Sequence, residues 1–250
     1  MRRMAKTTPR LYLDAALAAG AELVLAREQG HYLTTVLRMV GGDPVQVFNS
    51  TDGEWLAYIT DASKKQVAMR CEKKISEAKP PPDIDFLFAP IKHQRLDYVV
   101  EKATELGMRR LRPMITARTI VERVNMDRMR ATAREAAEQC NQVYVPEVLE
   151  PEKFSAILQK WDASRSLIFC DETATVADPL KALEGLEQPL AICVGPEGGF
   201  SNEERNHLKS LSFVRAVHLG PRIMRADTAA MAIMAVVQAK LGDWGSHNNT

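Results

Sequence analysis

With 33 Lys and Arg against 32 Asp and Glu in 250 residues, the formal net charge is +1, so overall charge points to no partner. A hydrophobic content of 46% beside 26% charged residues excludes a disordered chain, and no apolar run approaches the roughly 20 residues of a membrane span. Four cysteines, at 71, 140, 170 and 193, show neither C-x-x-C spacing nor paired histidines, which argues against a zinc site or disulfide frame and fits a reducing cytoplasm.

Met1 to Arg10 is basic, with no apolar signal-peptide core behind it. Residues 9 to 75 then read as a small β-rich domain. Apolar runs at Arg10-Leu13, Glu22-Leu25, Pro44-Phe48, Glu54-Ile59 and Gln66-Cys71 predict strands, and Gly41-Gly42-Asp43 and Thr51-Asp52-Gly53 are turn signals between them. One short helix is predicted near His31 to Met39, which sets His31 and Arg38 two turns apart on one face. Lys73 to Pro82, ending in three prolines, cannot extend a helix and marks the expected domain boundary.

Beyond the linker, strands and helices alternate. Ile84-Ala89, Leu111-Ile115 and Ser166-Cys170 predict strands, and Tyr144-Leu149 an extended piece. Lys92-Leu106, Val124-Cys140 and Phe154-Trp161 predict helices, the first stopped by Gly107. The pattern predicts a mostly parallel sheet covered by helices. Charge is segregated along the chain. Arginines 109, 110, 112, 118, 123, 128, 130 and 134 face only Glu122 and Asp127, whereas from Glu135 onward ten Lys and Arg meet sixteen Asp and Glu. The arginine belt is either a solvated face or a polyanion site; arginine grips phosphate through two hydrogen bonds and stacks on bases.

Two glycine loops close the sequence. Leu190-Ala191-Ile192-Cys193-Val194 is a buried-strand pattern that breaks into Gly195-Pro196-Glu197-Gly198-Gly199-Phe200. Glycines at 195, 198 and 199 suit positive φ and close approach to backbone. Ser201 and Glu204 form a capping box, so a helix is predicted from Asn202. A second apolar run reaches Leu219 and meets Gly220-Pro221-Arg222-Ile223-Met224-Arg225, then an Ala- and Met-rich helix that Asp227 or Thr228 would cap. Such loops, leaving the carboxyl ends of neighbouring strands, make a crevice that in α/β proteins holds ligands. The end of the 166–170 strand, Cys170-Asp171-Glu172, is a third candidate for that crevice, or else an ordinary acidic turn. The first loop is neither a P-loop nor a G-x-G-x-x-G fingerprint.

Val194 to Ser201 with Glu203-Glu204, followed by Leu219 to Arg225 and Thr228-Ala229, resembles the paired signature of the SPOUT class of S-adenosylmethionine-dependent RNA methyltransferases. More narrowly, it resembles the bacterial ribosomal RNA small subunit methyltransferase E family, which methylates N3 of a uridine in 16S ribosomal RNA. Either loop alone is a weak signal; the pair is specific. His31-Tyr32-Leu33, Val36-Leu37-Arg38, Gly42-Asp43, Trp55 and Ile59 are similar to the family's PUA-like barrel. Lys92, Glu101 to Gly107, Pro113, Glu138-Gln139 and Pro146 extend the match to roughly Pro9–Leu241. Two departures stand out: Cys140-Asn141-Gln142 where a small residue and an arginine are expected, and Ala226-Asp227 in place of Thr or Ser followed by Glu.

The resemblance implies an α/β chain with a PUA-like RNA-binding β-barrel at 1–76 and a SPOUT domain at 77–250 ending in a trefoil knot. It implies S-adenosyl-L-methionine held by Val194, Gly195, Pro196, Glu197, Gly198, Gly199, Leu219, Gly220, Ile223 and Met224, with Leu219, Ile223 and Met224 as the apolar wall. Arg222, Arg225, Asp227 and Glu197 are the catalytic candidates; Asp227 is alternatively a helix-terminus carboxylate and Glu197 a loop salt-bridge partner. Arg10, His31, Arg38, Lys92, Arg118, Arg123 and Arg130 are the candidates for RNA contact. The expected partners are 16S ribosomal RNA or the small subunit and a second copy of the chain, with no membrane and no metal. Two other readings stay open: an RNA-binding protein on this fold without catalysis, and methylation of another position, such as one in transfer RNA.

Overall fold

The computed structural model describes residues 8–63, 66–121, 123–174 and 178–245. The basic residues at 1–7, Glu122 of the arginine belt and the tail at 246–250 lie outside the described residues. Two compact units form, one from residues 1–80 with 137–145, the other from 81–136 with 146–250. Residues 137–145 thus group with the first unit although they follow the expected boundary in sequence.

The first unit is built on β1 (Arg10–Tyr12), β2 (Glu22–Val24), β3 (Pro44–Asn49), β4 (Gly53–Ala62) and β5 (Val67–Ser76), in the order β1-β3-β4-β5-β2. Only the β1–β3 pair is parallel. Three register shifts between β4 and β5 curl the sheet around a core that includes Leu33, Val45, Val47, Ala57, Met69 and Cys71. β5 runs through Lys73–Ser76, so the connection to the second unit is shorter than the expected linker. Gly53 is obligatory at the β4 start: its φ is +86°, and a Cβ there would sit 2.2 Å from the Ser76 carbonyl oxygen.

The helix expected over 31–39 is displaced. α1 spans Arg27–His31, continues as one π turn over Tyr32–Val36 and stops, with Arg38 in the left-handed region at φ 55°. The wider π turn and this reversal remove the shared face expected for His31 and Arg38.

The second unit carries a sheet ordered β12-β10-β11-β6-β7-β8, parallel throughout: β6 (Ile84–Phe88), β7 (Arg110–Ile115), β8 (Glu147–Val148), β10 (Ser166–Cys170), β11 (Leu190–Val194) and β12 (Val214–Val217). A two-residue β9 (Glu152–Lys153) pairs off the main path with β7. Burial on both faces explains why β11 is apolar at every position. α2 (His93–Glu105), α4 (Phe154–Gln159), α5 (Pro179–Ala182), α6 (Asn202–Ser210) and α7 (Ala226–Leu241) belong to this unit. α3 (Met126–Gln139) begins in it and ends in the first. α7 packs on α2 and β11. Its buried Gln238 donates from Nε2 to the Leu106 carbonyl at 2.6 Å, so one helix satisfies a carbonyl left open at the end of another.

At the opposite, amino edge of the strands, Asp85 is 1% exposed. Arg110 Nε lies 2.5 Å and Arg112 Nε 3.0 Å from its carboxylate, while Arg165 bonds Asp83 at 3.1 Å. Arg109 also faces Asp83. Three arginines of the belt are thereby committed to carboxylates within the fold.

Candidate functional site

The carboxyl ends of β10, β11 and β12 open into one cleft of about 440 Å³. Its walls are Cys170-Asp171-Glu172 after β10, Val194 to Phe200 after β11, and Val217 to Ala226 between β12 and α7. Both glycine loops therefore meet, and the strand end at 170–172 joins them as a third wall. The volume lies in the range of small-molecule sites.

Each glycine has its own reason. A Cβ on Gly195 would meet the Phe200 ring at 2.7 and 2.9 Å. That ring is held edge-on to Phe169 at 5.0 Å, and Phe154 flanks it at 5.6 Å, so it cannot withdraw. Phe200 is the anchor of the loop, and the aromatic immediately after the paired glycines was the available signal. Gly199 takes φ +68° and Gly220 φ +99°, each with no atom within 4 Å of an added Cβ, so both leave backbone open to a ligand. Gly195 and Gly198 both depart from the expected positive φ, and at Gly198 an added Cβ would make only ordinary contact with Arg118. Ser201 and Glu204 close the capping box of α6 as the sequence predicts.

Asp171 is the buried charge of the cleft wall. Lys209 Nζ lies 2.8 Å from it, Arg205 NH1 3.3 Å, and Thr173 donates both its N–H and its hydroxyl. Burial pushes this carboxyl up, but the Lys209 bond, the two Thr173 bonds and the Arg205 charge outweigh it and hold the group below its ordinary value. Arg205 also bonds Glu172 at 2.6 Å. Sequence reasoning found Asp171 and Glu172 but missed Arg205 and Lys209, whose positions on the polar face of α6 look like ordinary solvated charge.

The candidate catalytic residues separate. Arg222 and Arg225 are exposed on the second loop, and among the described residues neither pairs with a carboxylate. Glu197 is exposed in the first loop and lines the cleft. Asp227 is not a cleft wall. Its carboxylate accepts from the Thr228 N–H at 2.9 Å and lies 3.7 Å from Arg95. Neither Asp227 nor Thr228 is the N-cap of α7: that position is Arg225, with no side-chain cap, because the helix begins two residues earlier than an Asp227 cap would start it and three earlier than a Thr228 cap. All three residues of the expected apolar wall line the cleft; Leu219 and Met224 are half-buried, whereas Ile223 is 99% exposed.

The candidate RNA contacts separate too. Arg10 is a correction: its side chain is 6% exposed, bonds Glu54 at 2.5 Å, and donates to the carbonyls of Ala137 at 2.7 Å and Gln142 at 2.8 Å. It stacks over Phe48 and closes the carboxyl end of α3, which leaves no face for phosphate. Arg118 turns to the Gly198 carbonyl at 2.9 Å, and Arg130 to Glu150 at 2.6 Å. His31, Arg38, Lys92 and Arg123 are exposed. The Asn141 departure has a local cause, since Asn141 takes φ 60° just past α3, a conformation asparagine tolerates better than most side chains. Among the described residues, no cluster of three or more His, Cys, Asp or Glu side chains is arranged to hold a metal ion.

Residues 78–238 match the RNA methyltransferase domain family, and residues 25–69 the RNA methyltransferase PUA domain. A ribosomal RNA small subunit methyltransferase E from Rickettsia conorii is 31% identical over 95% of this chain and 96% of its own. The chain belongs to the ribosomal RNA small subunit methyltransferase E family. A solved member of that family from Neisseria gonorrhoeae, bound to S-adenosyl methionine, superposes with a TM-score of 0.86 at 25% identity, over 95% of this chain and 100% of its own. A methyltransferase from Legionella pneumophila in complex with the same cofactor gives 0.83 at 29%, over 95% and 99%. The family match to 78–238 takes in all three walls of the cleft, and the matched PUA segment takes in the π turn and β3 to β4 of the first unit.

Proposed function

We propose that the protein transfers the methyl group of S-adenosyl-L-methionine to N3 of a uridine in 16S ribosomal RNA of the small subunit. The observation that carries this reading is the cleft. Open backbone at Gly199 and Gly220 faces about 440 Å³ of space beside two arginines that have no carboxylate partner among the described residues, in a family with a donor-bound member. Val194 to Gly199 would hold the adenine through backbone groups, with Leu219 and Met224 as the apolar side. When bound, the donor supplies an electrophilic methyl carbon on a sulfonium.

The chain's residues must then make N3 a nucleophile. Uridine N3 carries a weakly acidic proton, and its anion leaves negative charge on the flanking uracil oxygens. Arg222 and Arg225 stand at the cleft mouth to receive that charge, and an arginine cannot itself be the base at ordinary pH. We assign proton acceptance to Glu197, which lines the cleft, rather than to Asp227, which is engaged by Arg95 and the Thr228 N–H. Asp171 and Glu172, balanced by Lys209 and Arg205, keep the third wall in place without adding net charge beside the sulfonium.

The same proposal divides the chain into an RNA-holding part, 1–76, and a methyl-transfer part, 77–250. His31, Arg38, Lys92 and Arg123 contact RNA, and the protein works as a cytoplasmic homodimer. The exposed Ile223 supports a surface that is covered in the working state. α7, which packs on α2 and β11, is the helix threaded through the trefoil knot of this class. No described helix is long and apolar enough to cross a membrane.

The test is transfer from labelled donor to small subunits and to free 16S RNA lacking the modification, with nucleoside mass spectrometry. 3-Methyluridine is expected. Methyl on a ribose or a guanine would overturn the N3 assignment, and donor binding without transfer would return the protein to an RNA-binding role.

A further inference from the structure

A second recess in the same unit is not used by this chemistry. It lies between α2, the 120–125 segment and the start of α3, and encloses about 380 Å³. Its floor is apolar, formed by Ile91, Leu96, Val100 and Met129, all buried, with Ile120 on the rim at 74% exposure. Four charged side chains also line it. Asp97 is answered within the recess by Arg128, which donates from Nε at 3.0 Å and from NH2 at 2.5 Å. Lys92 and Arg123 remain, and among the described residues neither makes an ion pair. The recess thus offers an apolar slot beside two uncommitted cations.

We propose that this recess takes one unpaired nucleotide of the RNA substrate, its base against the apolar floor under Ile120 and its phosphate on Lys92 and Arg123. The inference rests on the reading that the substrate is RNA. Single-stranded RNA is recognised by bases splayed out of the stack against flat or apolar surfaces, with cations tracking the backbone. A purely apolar occupant would leave both cations bare. Geometry also connects the recess to the cleft. The segment that carries Ile120 is tied at its start to the glycine loop, through Arg118 to the Gly198 carbonyl, and to the α6 cap, through the Ala117 N–H to Glu204 at 2.8 Å. A nucleotide held here is held by the same segment that touches the donor loop.

The experiment uses the full chain and a uridine-rich single-stranded RNA of twelve nucleotides, with fluorescence anisotropy across a salt series. Ile120→Ala should weaken binding by roughly tenfold, the scale of one aliphatic side chain's burial, with an unchanged salt slope. Lys92→Gln and Arg123→Gln should each lower the log–log salt slope by about 0.7. All three side chains are exposed, so melting temperatures should not move. An Ile120→Ala protein with unaltered affinity, or slopes unaltered in both charge variants, overturns the proposal. So does a shift in sedimentation without a change in RNA binding, which would make the recess a contact between copies. Calorimetry with S-adenosyl-L-methionine on the unsubstituted protein stands apart: failure to bind donor defeats the methyl-transfer reading and leaves the anisotropy result to decide the recess.

Discussion

Gly195 and Gly198 belong to one loop, yet only one of them is sterically compelled. Gly195→Ala drives a methyl into the Phe200 ring, which is pinned by Phe169 and Phe154. A loss of about 1–3 kcal/mol in thermal unfolding is expected, together with weakened donor binding by calorimetry. Gly198→Ala should melt normally and bind donor normally, because its methyl meets Arg118 only at ordinary contact distance. Equal behaviour of the two variants would contradict this assignment. Arg225→Lys tests the chemistry rather than the fold. Lysine keeps the charge but loses the planar fork, so single-turnover methylation should slow by on the order of 10²–10³ with donor affinity intact. The deficit should shrink as pH rises and more N3 is already deprotonated; a normal rate would leave Arg225 as a phosphate contact. The sequence exposed the loop and its arginines, because glycine and charge patterns are local. Which glycine bears the load depends on a ring that only the packed core brings beneath it.

Between elements, the fold is held by a few polar contacts that no periodicity displays. Gln238 sits on a helix whose Ala, Met and Val content reads simply as buried, yet its amide serves the last turn of α2. Gln238→Ala removes the donor to the half-buried Leu106 carbonyl, and the melt should fall by the equivalent of about 1–3 kcal/mol. The 202–210 helix, by contrast, was legible to the residue, since the capping box fixes its start. Short elements escaped: β9 and α5 have too few residues to establish a period. Asp171 links β10 to α6 and gives a pH signature. Its folded value lies below the ordinary 3.8, so its stabilising contribution is complete above that value and is lost as pH falls through the lower folded one. Asp171→Asn should lower the melting temperature at neutral pH and flatten the acid limb of a melting-temperature profile below about pH 4. An unchanged acid limb would mean that Lys209 and Arg205 do not hold it as described.

For the molecule as a whole, six of the eight arginines of the belt are engaged within the fold. Arg109, Arg110 and Arg112 are turned to Asp83 and Asp85 at the amino edge of the sheet, Arg128 and Arg130 to Asp97 and Glu150, and Arg118 to a carbonyl. The count of eight was correct and the single face was not, because Asp83 and Asp85 precede the belt by some 25 residues and meet it only across parallel strands. Arg110→Ala withdraws one guanidinium from a carboxylate that is 1% exposed, and should cost on the order of 3 kcal/mol in chemical denaturation. It should leave the salt dependence of RNA binding unchanged; a flatter salt slope would place Arg110 back among the phosphate contacts.

Arg118 spans 80 residues of sequence to reach the Gly198 carbonyl, while its neighbour Ala117 is fastened to the α6 cap. Three stretches of chain, 117–118, 198 and 204, are thereby tied together, and we expect them to open and close as one unit in native-state fluctuations. Donor held by the loop at 194–199 should slow amide hydrogen exchange not only there but also through the 117–121 segment, which contributes no wall to the donor cleft. Cutting the tether with Arg118→Ala should confine the protection to the glycine loop, so the distance over which donor occupancy is felt can be read from a deuterium-uptake map.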